Sequence, residues 1–178
     1  MANINLGPVE NAQGYPPVAT WSPPFCGDMD LTITSRGDWV HEGSVIKREK
    51  LVVLFSRILW REGDEYFLVT PSEKVRIRVE DAPFHIIQYT QEENEAGVAI
   101  IRFVTRTNDV LVLGEDCQMR LFECRGELLP YVSVRYNMWA SFHRNVYYQL
   151  IEEGVLKNDE LVIQSAGIEH TLGVLVDR

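Results

Sequence analysis

Lysine is scarce in this chain, with 4 residues against 13 arginines, and the 17 basic side chains are outnumbered by 26 acidic ones for a net charge of -9. A general phosphate-backbone binder carries a clustered basic face, so this balance argues against a nucleic-acid partner. It argues against a membrane surface too, because an anionic protein is repelled by an anionic leaflet. Cysteine is sparse as well. Cys26, Cys117 and Cys124 are odd in number and lack paired CxxC spacing, which speaks against a disulfide framework or a zinc cage and leaves three small reduced hydrophobes. No apolar run approaches the length of a bilayer span, and the opening "MANINLGPVENAQG" has neither the basic start nor the apolar stretch of a signal peptide, so the cytoplasm is the expected location. P-loop, dinucleotide fingerprint, nucleophile elbow and HExxH are all missing, and no cofactor or metal is implied.

What is present is enough to fold. The 178 residues, 46% hydrophobic and 10% aromatic, suit one ordinary domain or two small ones without covalent staples. "GYPPVATWSPPFCGDMD" opens with Pro16, Pro17, Pro23 and Pro24, which fix φ and remove donors, so it reads as an extended lead-in anchored by Trp21 and Phe25. Leu31 and Ile33 then alternate with polar residues, and Arg36-Gly37-Asp38 supplies a turn between two short strands. Leu51, Val52, Leu54, Phe55, Ile58 and Leu59 form an apolar stripe at helical period, with Gly63 as the expected stop. "YFLVTP" and "KVRIRVED" follow as strands, the second with Val75, Ile77 and Val79 on one face.

Beyond Pro83 the chain reads as an antiparallel meander whose turns fall at Asn94 to Gly97 and at Asn108-Asp109. A helical pattern returns at Trp139, Phe142, Val146 and Leu150, with Asn137 as expected N-cap and Gly154 as stop, and "ELVIQS" and "TLGVLVD" close the chain as strands. Arg36-Gly37-Asp38 aligns with Arg125-Gly126-Glu127, and Glu62-Gly63 with Glu153-Gly154. The order strand, turn, strand, helix, Gly, strand, strand thus occurs twice, and the economical reading is an internal duplication. The expected fold is α+β, with two similar sheet-plus-helix units, residues 1–83 and 84–178.

The runs "PPVATWSPPFCGDMDLTI", "GDWVHEGSVIKREKLVVLFSRIL", "YFLVTPSEKVRIRVEDAPF" and "LPYVSVRYNMWASFHRNVYYQLIEEG" resemble the bacterial domain-of-unknown-function family numbered 1285. The linked pattern GxW, GxxIxR, LVxLF, LVTPxEK and VEDAPF carries the resemblance over nearly the whole chain. It implies a duplicated α+β core, a second domain superficially like a pleckstrin-homology domain, and a binding site between the domains. It implies no activity, substrate or catalytic residue.

Two functional readings compete. Lys47, Arg48 and Lys50 stand at the start of the first helix, where the macrodipole disfavours cations by about 0.3–1 kcal/mol each. A bound anion would compensate, as would a carboxylate such as Glu73 or Asp81, and Arg135 is expected in a similar place before the second helix. Trp39 beside His41 is a candidate wall for a small ligand, and Thr70 before Pro71 turns a strand end outward with Glu73. The first reading is therefore a non-catalytic ligand-binding or regulatory module. It holds a small polar or anionic molecule, or a protein segment, at the interface between the two repeats with Trp39, His41, Arg48, Thr70, Glu73, Tyr131 and Arg135. The second is an enzyme built on Asp30, His41, Glu42 and Glu73, with Asp28 nearby. Their spacing matches no ligand motif, and these residue types also serve turns and strand ends, so the binding reading is preferred.

Overall fold

The computed structural model describes residues 4–10 and 14–175. The elements in chain order are α1 (Gly7–Glu10), β1 (Phe25–Ile33), β2 (Trp39–His41), β3 (Ser44–Val45), α2 (Glu49–Arg57), β4 (Leu59–Glu62), β5 (Glu65–Val69) and β6 (Lys74–Val79). They continue with β7 (Phe84–Glu93), β8 (Ala99–Thr105), β9 (Val110–Val112), β10 (Met119–Cys124), β11 (Glu127–Arg135), β12 (Met138–Phe142), α3 (Arg144–Glu153), β13 (Val155–Lys157), β14 (Glu160–Ser165) and β15 (Ile168–Val174). The chain is sheet-rich with two helices of more than two turns, and it divides into two compact units. The first comprises the residues up to Pro83 together with Tyr136–Met138, and the second the remainder.

The first unit is a six-stranded sheet in the order β3-β2-β1-β6-β5-β4. Its central pair, β1 and β6, is parallel, and α2 makes the connection that a parallel return requires. The register sorts the side chains. Leu31 lies opposite His41 and Ile33 opposite Trp39, so these four share one face, and α2 covers it with Val52 and Phe55. Asp28 and Thr32 align with Arg76 and Arg78 on the other face. There Arg76 binds Asp28 and Glu65, Arg78 binds Thr32 and Asp30, and Lys74 reaches Glu62. The guanidinium of Arg76 holds the Asp28 carboxyl below its ordinary range. The same face carries an apolar cluster of Val18, Phe67 and Val69 packed by Trp21, Trp60 and Tyr136, so Trp21 does anchor the lead-in. Phe25 lies edge-on to Phe67 yet remains exposed.

Helix α2 stops earlier than its apolar stripe. It ends at Arg57, Ile58 caps it, and Leu59 already belongs to β4, where it pairs with Leu68. An apolar residue at the end of a helical period looks the same as the first buried residue of a strand, and here the strand wins. Gly63 is therefore not a helix stop. At φ +57 it forms the β4–β5 hairpin turn, a left-handed position that suits glycine.

The second unit holds a six-stranded sheet, β10-β11-β12-β7-β8-β9, and a separate three-stranded sheet, β13-β14-β15. Trp139 and Phe142, expected on the helix, lie in β12. Asn137 is not an N-cap: Tyr136 and Asn137 both have positive φ, at 50° and 56°, and form the two-residue turn between β11 and β12. His143 caps α3 instead, its Nδ1 accepting the Asn145 N–H at 3.2 Å, while Gly154 does end that helix. The turns at Asn94 to Gly97 and at Asn108 stand as expected, with Asn108 at φ 64°. The predicted end of the last strand, Val176 and Asp177, lies outside the described residues.

Among the described residues at least three strands precede and three follow each of α2 and α3, rather than the two and two expected, and the pairing of the two sets differs. Strands β4 to β6 complete the sheet of the first unit, whereas β13 to β15 form their own. Gly63 and Gly154, aligned by sequence, do different work in a turn and a helix cap. Cys117 is buried, and burial pushes its thiol up to about 12, so it behaves as a small hydrophobe; Cys26, Cys117 and Cys124 form no disulfide. Among the described residues no helix is long and apolar enough to cross a membrane.

Candidate functional site

The amino-terminal end of α2 is built from "VIKREK", a segment that leaves β3 and enters the helix without a capping side chain. Arg48 occupies the N-cap in extended conformation and offers the helix no hydrogen bond from its side chain. An arginine carries only donors, so it cannot accept from the first free N–H groups as Ser, Asp or His143 would. Lys47, Arg48 and Lys50 are all exposed. Among the described residues no carboxylate pairs with any of the three. Glu73, one expected partner, instead accepts the backbone N–H of Asn5 at 2.7 Å. Free helix N–H groups and three solvent-facing cations therefore converge with a single acidic residue, Glu49, in the first turn.

The other first-unit candidates are placed as follows. Trp39 is 1% exposed and stacks on Phe55, with centroids 6.2 Å apart and planes at 16°, so its ring belongs to the core under α2. His41 shares that sheet face and is half-buried. Thr70 is buried, and its hydroxyl accepts the Glu73 N–H at 3.1 Å, which closes the β5–β6 turn. The carboxylates of the enzyme reading are dispersed. Asp30 is held by Arg78, Glu42 sits at φ 48° in the β2–β3 turn, and Glu73 serves Asn5. No three metal-binding side chains gather among the described residues.

Tyr131 and Arg135 both lie on β11 in the second unit. Tyr131 is buried with its ring 5.7 Å from Phe122. Arg135 is not at a helix start, because β12 intervenes; α3 begins at Arg144. Its guanidinium lies 4.6 Å over the Phe84 ring and donates to Asp109 Oδ1 at 2.6 Å. Asp109 Oδ2 accepts from the hydroxyls of Thr105 and Thr107, both at 2.7 Å, so a buried polar network sits in the β8–β9 turn. Sequence reasoning saw only a turn here. It also missed the 2.8 Å bond between His85 Nδ1 and Ser141 Oγ, which joins parallel neighbours β7 and β12. A groove of about 320 Å³ in this unit is walled by Ile100, Val155 and Val162, and its rim charges pair with each other, Lys157 with Glu169, while Gln91 bonds Glu153.

Comparison with known proteins fits this picture. The family profile described as "Domain of unknown function (DUF1285), N-terminal domain" matches residues 16–82, and "Protein of unknown function (DUF1285), C-terminal domain" matches residues 83–172. A crystal structure of a DUF1285 family protein from Silicibacter pomeroyi DSS-3 is 36% identical, with 93% of this chain and 91% of that chain covered and a TM-score of 0.82. Another, from Shewanella baltica OS155, is 27% identical over 70% of this chain and 91% of that one, with a TM-score of 0.55. No curated protein matches.

Proposed function

Because the chain belongs to the DUF1285 family, described only as of unknown function, we propose from the site itself that it is a non-catalytic binding or regulatory module. It takes a small anionic molecule at the amino-terminal end of α2. The observation that carries this reading is the unpaired Lys47, Arg48 and Lys50 at an uncapped helix start. Helix α3 caps itself with His143, and Arg135 finds Asp109, so the second unit settles its own helix end and its own arginine. At α2 an anion would meet free N–H groups, the positive end of the dipole and a guanidinium fork together. The recurring element order supports an internal duplication, and the sheet-plus-helix make-up of the second unit supports its superficial pleckstrin-homology likeness. The exposed free thiol of Cys26 supports a reducing, cytoplasmic location. Nucleic acid and membrane are not among the proposed partners, on the charge grounds given above.

The test is a thermal-shift screen of phosphate- and carboxylate-bearing metabolites against the protein and Arg48→Ala. A ligand at 100 times its Kd adds about 2.7 kcal/mol, which a melting curve resolves easily. Arg48→Ala should melt at or slightly above the unliganded parent, since removing a cation from a helix start relieves about 0.3–1 kcal/mol, and should lose the shift. A variant that keeps the full shift would refute the site. So would one that melts far lower without ligand, since that would place a buried carboxylate on Arg48.

A further inference from the structure

The three-stranded sheet of the second unit carries a buried imidazole that the proposed function does not use. His170 on β15 is 6% exposed, and its Nε2 has no hydrogen-bond partner among the described residues. The residue lies opposite Ile163 on β14, and Ser165, two residues further along β14, points the same way. That face is the one by which the small sheet docks. Ser165 Oγ accepts the Ile101 N–H at 2.8 Å and donates to the Leu113 carbonyl at 2.7 Å, and the Ala166 N–H donates to the Ala99 carbonyl. Strand β15 packs against β10 and β11. His170 thus sits on the seam between the three-stranded and six-stranded sheets.

We propose that His170 is an acid-operated latch on this seam: with the ring neutral the small sheet stays docked, and with the ring protonated it opens. A neutral imidazole has one donor and one acceptor, and the bond with the Ser165 backbone serves one nitrogen only. Protonation would turn the unpartnered nitrogen into a buried donor bearing charge, which an apolar seam tolerates poorly. Among the described residues no charged group acts on the ring. Glu160 on β14 and Glu169 on β15 point to the opposite face, where they bind Thr171 and Lys157. Arg120 and Glu123 on β10 and Glu127 on β11 are exposed, and Arg135 on β11 is committed to Asp109.

The direction of the effect follows. Burial holds the imidazole below its ordinary value, with the Ser165 backbone bond opposing it in part. As pH falls past about 6.5 the opened form takes up the proton first. Docking is therefore complete above that pH and is lost as pH drops from there toward the lowered value. Opening would also remove one wall of the groove between β14 and β8, so acid would change access to it.

Native-state hydrogen exchange on the full chain, corrected for intrinsic chemistry, tests this at pH 7.5 and 5.5. Acidification should raise the opening of β14 and β15 amides relative to β7 by a factor of up to about ten, the ceiling for one imidazole whose opened-state value is the ordinary one near 6.5. His170→Gln, which does not titrate, should abolish that rise. Unchanged opening in the parent protein, or an equal rise in the variant, overturns the latch. Should the variant not fold, NMR titration of the His170 ring in the parent protein decides: a midpoint at or above the ordinary imidazole value overturns it as well.

Discussion

Asp109→Ala lowers the stability of the second unit by about 3–5 kcal/mol in urea unfolding followed by circular dichroism, the range for stripping one partner from a buried ion pair. The side chain of Asp109 is 2% exposed and that of Arg135 16%, so water does little to replace what is lost. Removal takes the Asp109 carboxylate from the guanidinium over Phe84 and deprives the hydroxyls of Thr105 and Thr107 of their acceptor. The turn itself suffers, because the Asn108 backbone at φ 64° is held by the bond from the Thr105 N–H to the Asp109 carbonyl and by the Asp109 N–H on Thr105 Oγ1. Asp109→Asn, which keeps an acceptor for the hydroxyls and loses only the charge, should cost less than Ala. Arg135→Met combined with Asp109→Ala should recover much of the loss, since replacing both members of a buried pair with apolar groups is often near neutral. A cost below about 1 kcal/mol for Asp109→Ala would mean the pair is solvated and the network unimportant.

That network shows why part of the second unit was illegible in sequence. "TRTNDV" announces a turn through Asn108-Asp109, and the turn is there. Nothing local announces that Arg135, 26 residues on, closes it, because the contact depends on β11 reaching that turn across the sheet. His85 and Ser141 meet through parallel pairing of β7 with β12, another long-range choice no short-range pattern encodes. The first unit was more readable. Alternation in β1 and β6 and the stripe of α2 are local signals, and they place Leu31, Ile33, Val52, Phe55, Val75 and Ile77 in the core. The misreadings sit where one signal serves two structures: Leu59 extends a helical period yet begins a strand, and Asn137 suits an N-cap and a type I′ turn equally. Arg48 was legible as a cation at a helix start. That Glu73 does not pair with it was not, since only the folded chain shows Glu73 turned to Asn5.

Trp39→Ala is the second large effect expected, a loss of about 3–5 kcal/mol in the first unit. The sequence neighbours of Trp39 are polar, with Asp38 before it and His41 and Glu42 after it, which gives the ring the look of a ligand wall. Strand alternation reverses that impression. On β2 the side chain of Trp39 points with Ile33 toward α2, Val40 points with Thr32 to the charged face, and Glu42 leaves the strand altogether in a turn. The indole is 1% exposed and stacked on Phe55, so its truncation opens a cavity between the sheet and α2. Trp39→Phe, which keeps a ring against Phe55, should cost about 1–2 kcal/mol. The fluorescence it removes should be the component of the parent emission that iodide fails to quench. If Trp39→Ala instead unfolds within about 0.5 kcal/mol of the parent while abolishing the response to a thermal-shift hit, then Trp39 is a surface contact for ligand and this account of the helix-covered face is wrong.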